Sequence, residues 1–233
     1  MKHIAVPCRG AYNADREFTA AGLGDRIHAV TIAWSYSQAH QTHVMLHVTD
    51  PMMRGGQFGN KAESWSEILA LLPPGHVSLK AYPGVSPRTA ADWAPIIGAE
   101  AYCYSDYQQR EGLDAVPYLR NIPLLKAEPQ SIDLPERFFT TQWDASGPAR
   151  RMPRNTAGYD GVAITVGGEG DVFRWELKWI AYAMSKAYAH VGVDSAFFHL
   201  AQLYMPMSRI HLHCGEKRSH HVLRAIDNGA RIN

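Results

Sequence analysis

The chain has 233 residues and a mass of 25.9 kDa, enough for one large domain or two small ones. Hydrophobic residues make up 46% and charged residues 19%, an ordinary globular balance, and a formal net charge of +1 supplies no global field for nucleic acid or an anionic membrane. The three cysteines (Cys8, Cys103, Cys214) lack a paired spacing, no apolar run approaches a bilayer span, and MKHIAVPCRGAY is interrupted too early for a secretory signal; a reduced, cytoplasmic protein is expected.

In chain order, Ile4 to Cys8 reads as a short buried strand, followed by a polar loop with Asn13, Asp15 and Arg16. Gly24-Asp25 opens a helical pattern whose apolar side is Ile27, Val30, Ile32, Ala33 and Trp34. His43 to Val48 is a second strand, and Glu63 to Leu72 a helix stopped by Pro73-Pro74. Val77 to Ala81 is a third strand, Arg88 to Ile97 a helix, and Ala101 to Tyr104 a fourth strand. Pro117 to Pro135 holds Pro117, Pro123, Pro129 and Pro135 with little periodicity, and marks the expected domain crossing.

Beyond it, Phe138 to Gln142 is a strand, Ser146 to Pro153 a Gly/Pro/Arg loop, and Val162 to Val166 a strand ended by Gly167-Gly168. Trp175 to Tyr188 is a helix, His190 to Val193 a strand, Ser195 to Tyr204 a helix and Arg209 to His213 a strand, with a last helix from Lys217 to Ile226. Strands alternating with helices imply βαβ units and mainly parallel sheets. The expected architecture is α/β with two Rossmann-like domains, residues 1–125 and 126–233.

Four constellations bear on chemistry. In Gly22-Leu23-Gly24-Asp25-Arg26-Ile27-His28, the glycines allow a tight turn and close approach of a ligand. Asp25 falls in the first helical turn, where a carboxylate can take a proton from an attacking hydroxyl, and His28 follows on a similar face. A helix N-terminus favours ionised Asp and so weakens it as a base, and Gly-Asp is equally what a plain helix start needs. In the second constellation, the apolar run Val191-Gly192-Val193 stops at Asp194-Ser195 and a helical period begins at once, with His199 one turn on. Asp and Ser are favoured N-caps, and the donors and dipole behind them suit an anion such as a nucleotide phosphate; an ordinary capped helix gives the same pattern.

The third constellation is Gly167-Gly168-Glu169-Gly170 after a buried strand, where a carboxylate can accept two hydrogen bonds from a ribose diol, or where the chain simply turns. The fourth is Arg150-Arg151 with Arg154, guanidinium groups able to neutralise a diphosphate or merely to be solvated. No metal site is expected. His211, His213 and Cys214 alternate as strand residues do and lack a second ligand pair, and the adjacent His220-His221 do not share a helix face. Tyr102, Tyr104 and Tyr107 fit the cover of a sheet edge or the lining of a cleft better than a base-stacking platform.

The order of these pieces carries a resemblance. GLGDRIHAV resembles the N-terminal Gly-Asp-x-x-His helix start of the ADP-heptose:lipopolysaccharide heptosyltransferases. VGVDSAFFHLAQL resembles their C-terminal Val-Gly-x-Asp-Ser/Thr-Gly-x-x-His-Leu segment, and TVGGEG resembles the strand and loop between. The resemblance implies a short, divergent GT-B glycosyltransferase, its two Rossmann-like domains facing across a cleft that holds a nucleotide-sugar. Asp25 matches the proposed catalytic base of that family, with His28 beside it and Gly24 allowing the donor's approach. Asp194, Ser195, Ala196 and His199 match the donor segment, Ala196 standing where the family usually has glycine. Glu169 beside Gly168 is the implied ribose partner, and Arg150 or Arg151 takes the basic role at the diphosphate.

The implied activity is metal-independent transfer of a sugar from a nucleoside-diphosphate sugar to an acceptor hydroxyl, with no cofactor beyond the co-substrate. The acceptor is a glycan, or a hydroxylated base in DNA if the chain is encoded by a bacteriophage and works in the host cytoplasm. A nucleotide-sugar epimerase or hydrolase, and a non-catalytic nucleotide-sugar binder, use the same kind of cleft.

Overall fold

A computed structural model describes residues 1–6, 23–49, 65–85, 87, 89–100, 102–103, 124–144, 153–174, 176–215 and 220–233. The chain divides into two compact units, Met1–Gly56 with Glu63–Ile122, and Gln57–Ala62 with Pro123–Asn233. Each carries a parallel sheet.

In the first unit, β1 (Lys2–Ala5), β2 (Val44–Val48), β3 (Val77–Ala81) and β4 (Tyr102–Cys103) lie in the order β3-β2-β1-β4, every pair parallel. Ile4 sits opposite Leu46, and Leu46 opposite Leu79. Ile4, Val44 and Leu46 are fully buried, as parallel strands covered on both faces require. Helix α1 (Leu23–His40) returns the chain from β1 to β2. Its Ile27, Ala29, Val30, Ile32, Ala33 and Trp34 are all buried, so its apolar surface wraps well beyond a single stripe. The buried hydroxyls of Thr31 and Ser35 donate to the carbonyls of Ile27 and Thr31, both at 2.7 Å, so neither needs an outside partner.

Helix α2 (Trp65–Leu69) is shorter than expected: residues 63 and 64 lie outside the described residues. Its far end tightens into three-residue turns, Leu71 N–H to Ile68 and Leu72 N–H to Leu69, ahead of the prolines. Helix α3 (Ala90–Ile97) starts later than Arg88 because Thr89 and Asp92 form a reciprocal capping box.

In the second unit, β5 (Phe138–Gln142), β6 (Val162–Thr165), β7 (His190–Gly192), β8 (Ile210–Leu212) and β9 (Arg231–Ile232) lie in the order β6-β5-β7-β8-β9, again all parallel. Helices α4 (Leu177–Lys186), α5 (Ala196–Tyr204) and α6 (His220–Asp227) join consecutive strands from β6 onward, and α4 packs against α5. Phe139, Trp143, Ala189, Val191 and Val193 form a core cluster with Tyr159 and Tyr188 packed on it. Helix α4 ends before Tyr188 because the Tyr188 N–H donates instead to the Phe138 carbonyl at 3.1 Å, at the start of the sheet. Arg209 belongs to a single 3-10 turn (Met207–Arg209) rather than to β8. The strand β9 was not expected; at two residues it has no periodicity to read. The Pro-rich stretch has no helix or strand from residue 124 to 137, and Leu125 fastens it by donating to the Leu203 carbonyl at 2.8 Å. No helix among the described residues is long and apolar enough to cross a membrane.

Two buried histidines tie stability to pH. His47 has Nε2 2.9 Å from His3 Nδ1 and Nδ1 3.1 Å from the Tyr82 hydroxyl. Burial, then the neighbouring His3 and Lys80, lower its pKa to about 4. His190, fully buried with Nδ1 3.0 Å from Thr140 Oγ1, is lowered by burial and by His211 to about 3. An unfolded histidine binds its proton near pH 6.5, so below that value the unfolded chain holds more protons and stability is lost as pH falls. The melting temperature is therefore expected to drop from pH 7 to pH 4. The drop should be shallower in His47→Gln, which keeps polar groups toward His3 and Tyr82. A melting temperature flat across this range contradicts the assignment.

Candidate functional site

The second unit's sheet begins at β5, adds β6 on one side, then crosses to place β7 on the other. Connections that leave in opposite directions open a crevice at the carboxyl ends of the two strands, the place where open α/β sheets take ligands. The residues there are Gln142, which ends β5, with Trp143 and Asp144 after it, and the Val193-Asp194-Ser195 turn after β7. The strands stay tightly joined up to that edge: Val193 N–H donates to the Gln142 carbonyl at 3.1 Å, and His213 N–H to the Gly192 carbonyl at 2.8 Å. A Cβ on Gly192 would strike the Gln142 carbonyl oxygen, so only glycine fits this close pairing.

Ser195 is the N-cap of α5, in extended backbone (φ −145, ψ 176). Sequence favoured a side-chain cap, and the structure corrects that: the hydroxyl bonds no helix N–H, and its buried oxygen has no hydrogen-bond partner among the described residues. The first turn of α5 thus lacks the hydrogen bond that a capping serine provides, and the positive end of a helix suits an anion. Asp194, just ahead, is buried; Ala196 opens the helix half-buried. Half-buried His199 sits one turn on, its N–H on the Ser195 carbonyl.

The glycine-rich loop after β6 is held from two sides. Gly167 (φ +64) and Gly168 (φ +78) are left-handed, and a Cβ on the first would enter the Phe197 ring of α5 while a Cβ on the second would strike the Asp144 carboxylate. Glu169 follows with its side chain exposed and its N–H donating to Asp144 Oδ2 at 3.1 Å. Gly168, Glu169, Asp194, Ser195, Ala196 and His199 thus gather at the carboxyl edge of one sheet. Arg150 and Arg151 lie outside the described residues, and Arg154 is exposed.

Sequence reading passed over Gln142, Trp143 and Asp144 at this edge and weighed His213 only as a metal ligand. Gln142 is buried; its Nε2 donates to the Asp144 carbonyl, and its Oε1 has no partner among the described residues. The Trp143 ring lies 4.9 Å from the ring of His213, tilted by 60°. Burial lowers the His213 pKa, so it is neutral at neutral pH and offers ring surface and a hydrogen bond rather than charge. Trp143 and Asp144 directly follow a buried strand, but without the glycines that marked Glu169. His211 is engaged by the Tyr159 hydroxyl at 2.8 Å, away from His213's contact with Trp143.

In the first unit the strand order reverses between β1 and β4. Helix α1, leaving β1, starts at the carboxyl end of that sheet, one residue earlier than Gly24. Gly24 and Asp25 are half-buried in its first turn, and His28 is buried one turn later. Between them Arg26 is fully buried, its guanidinium 4.9 Å from the centre of the Trp65 ring.

No family model matches the chain, and no curated protein sequence matches it. Among solved structures it is similar to the ADP-heptose LPS heptosyltransferase II of E. coli, with a TM-score of 0.55 and 12% identity over 100% of this chain and 90% of that one. The likeness expected from the motif order is therefore present as a likeness of fold: the chain has a parallel-sheet α/β fold similar to that structure's.

The close packing around the glycine loop is testable. Gly84 is also left-handed (φ +84) but has open space where a Cβ would go, so Gly84→Ala meets strain alone, about 1 kcal/mol. Gly168→Ala is expected to lose about 1–2 kcal/mol more in urea unfolding, because the Asp144 carboxylate must leave Glu169. Equal losses for the two variants contradict this packing.

Proposed function

We propose that this chain is a glycosyltransferase that moves a sugar from a nucleoside-diphosphate sugar to a hydroxyl of a carbohydrate acceptor. The observation that carries the reading is the strand-order reversal between β5 and β7, with the N-terminus of α5 set at the crevice it creates. The full-length likeness of fold to a protein whose name is ADP-heptose LPS heptosyltransferase II points the same way. In this reading the two units are the two halves of a GT-B enzyme, divided near residue 125.

The diphosphate binds at the Asp194-Ser195 turn, accepting hydrogen bonds from the first turn of α5 and from the Ser195 hydroxyl. His199 reaches the phosphate or the sugar from the next turn. Glu169, carried on the Gly168 loop, accepts from the ribose hydroxyls. Asp25, aided by His28, removes the acceptor proton as the acceptor oxygen bonds to the anomeric carbon. The bond from that carbon to the diphosphate oxygen breaks, and the nucleoside diphosphate leaves with the electron pair. Its charge is met by the helix end and by Arg150 or Arg151, which the reading assigns this work in place of a metal ion. With a formal net charge of +1 the chain has no overall field drawing it to DNA, and a glycan is the acceptor proposed.

Asp25→Asn keeps the size and loses the base. It is expected to lower transfer by about 100-fold or more while leaving donor affinity within about twofold, measured as product formation and as a donor-induced rise in melting temperature. Undiminished transfer in this variant contradicts the base assignment. Isomerised donor, or free sugar released with no acceptor present, contradicts transfer itself.

A further inference from the structure

We propose that Asp144 is a positioning residue for nucleoside recognition, acting through the loop that carries Glu169. The inference rests on the reading of the second unit's crevice as a nucleoside-diphosphate site. Asp144 is half-buried, two residues beyond the end of β5. Its Oδ2 accepts the Glu169 N–H at 3.1 Å, a bond between the loops of two neighbouring strands. That carboxylate also fills the space a side chain at residue 168 would need, which is why a left-handed glycine stands there. The other side of the loop is set by the Phe197 ring against Gly167. The loop is therefore gripped between the first turn of α5 and the end of β5.

Asp144 is itself held. The buried Gln142 donates from Nε2 to the Asp144 carbonyl, fixing the backbone from which the carboxylate projects. A carboxylate accepting a backbone N–H makes a charge-assisted hydrogen bond, stronger than a neutral pair. The Glu169 side chain is exposed, and the bond at its own N–H holds the backbone position from which it reaches into solvent. Asp144 thus fixes the backbone from which the exposed Glu169 side chain projects, and the carboxylate of that side chain is the group assigned to the ribose diol.

A role exerted through Glu169 separates nucleoside recognition from phosphate recognition. Binding is measured by calorimetry on the full chain with UDP, GDP and ADP, and with inorganic pyrophosphate, which has no ribose. Asp144→Ala is expected to weaken the best-bound nucleoside diphosphate by about tenfold and pyrophosphate by less than about twofold. Asp144→Asn, whose amide oxygen can still accept the Glu169 N–H, is expected to recover most of the affinity. In a Glu169→Ala background, Asp144→Ala should cost less than about twofold more, because its target is gone. Equal losses for nucleotide and pyrophosphate, or a full additional loss in the Glu169→Ala background, overturn the positioning role. If Asp144→Ala does not fold, Asp144→Ser and Asp144→Asn carry the same comparison. Wild-type chain that binds none of the four ligands overturns the nucleoside-diphosphate reading itself; wild-type binding with unchanged affinity in Asp144→Ala overturns only this inference.

Discussion

The parallel pairing of β5 with β7 is the constraint on which the second unit depends. Thr140, Thr141 and Gln142 lie opposite His190, Val191 and Gly192, and the pairing runs on to Val193, whose N–H reaches the Gln142 carbonyl. Because β6 joins the other side of β5, the connections after β5 and β7 leave on opposite sides. A crevice at their carboxyl ends follows from strand order alone. What is specific to this chain is how closely the strands approach there, with Gly192 leaving no room beneath the Gln142 carbonyl. That closeness sets the Asp194-Ser195 turn beside Trp143 and Asp144.

The edge is also polar beyond what the fold itself satisfies. Gln142 Oε1, Thr141 Oγ1, Ser195 Oγ and His213 Nε2 are buried atoms with no partner among the described residues. Each unmet buried group costs about 1–3 kcal/mol, and few such groups persist without a role. Their gathering at the carboxyl ends of β5, β7 and β8 is the pattern of a preorganised site, in which a ligand's hydrogen bonds replace the missing ones. Among the buried histidines, His47 is bonded on both ring nitrogens, whereas His190 is bonded on Nδ1 and its buried Nε2 has no partner among the described residues; burial holds both neutral at neutral pH.

Much of the fold is legible in the sequence where short strand-like runs are bounded by turn residues. Val77–Ala81 and Phe138–Gln142 are read to the residue, since turn residues close both runs, although only the second strand is fully buried. Helix ends are less legible because a cap is a hydrogen bond and not a residue type. Thr89 caps α3 through its side chain, whereas Ser195 stands at the same position of α5 and leaves its hydroxyl unused. Of the site, Glu169 and the Asp194-Ser195 turn were marked by glycine and by an abrupt change of period. Asp144 carried no such mark. Its importance lies in a contact 25 residues away in sequence, with the glycine at residue 168 as the complementary half of the same packing.

The central claim is that the end of α5 and the adjoining loops form a nucleoside-diphosphate site. The most direct measurement is a crystal structure grown with the best-bound nucleoside diphosphate. The account predicts phosphate oxygens within hydrogen-bond distance of Ser195 Oγ and the first-turn amides of α5, with the ribose hydroxyls on Glu169. A ligand bound only elsewhere, or a carboxyl edge left empty at saturating ligand, would contradict it.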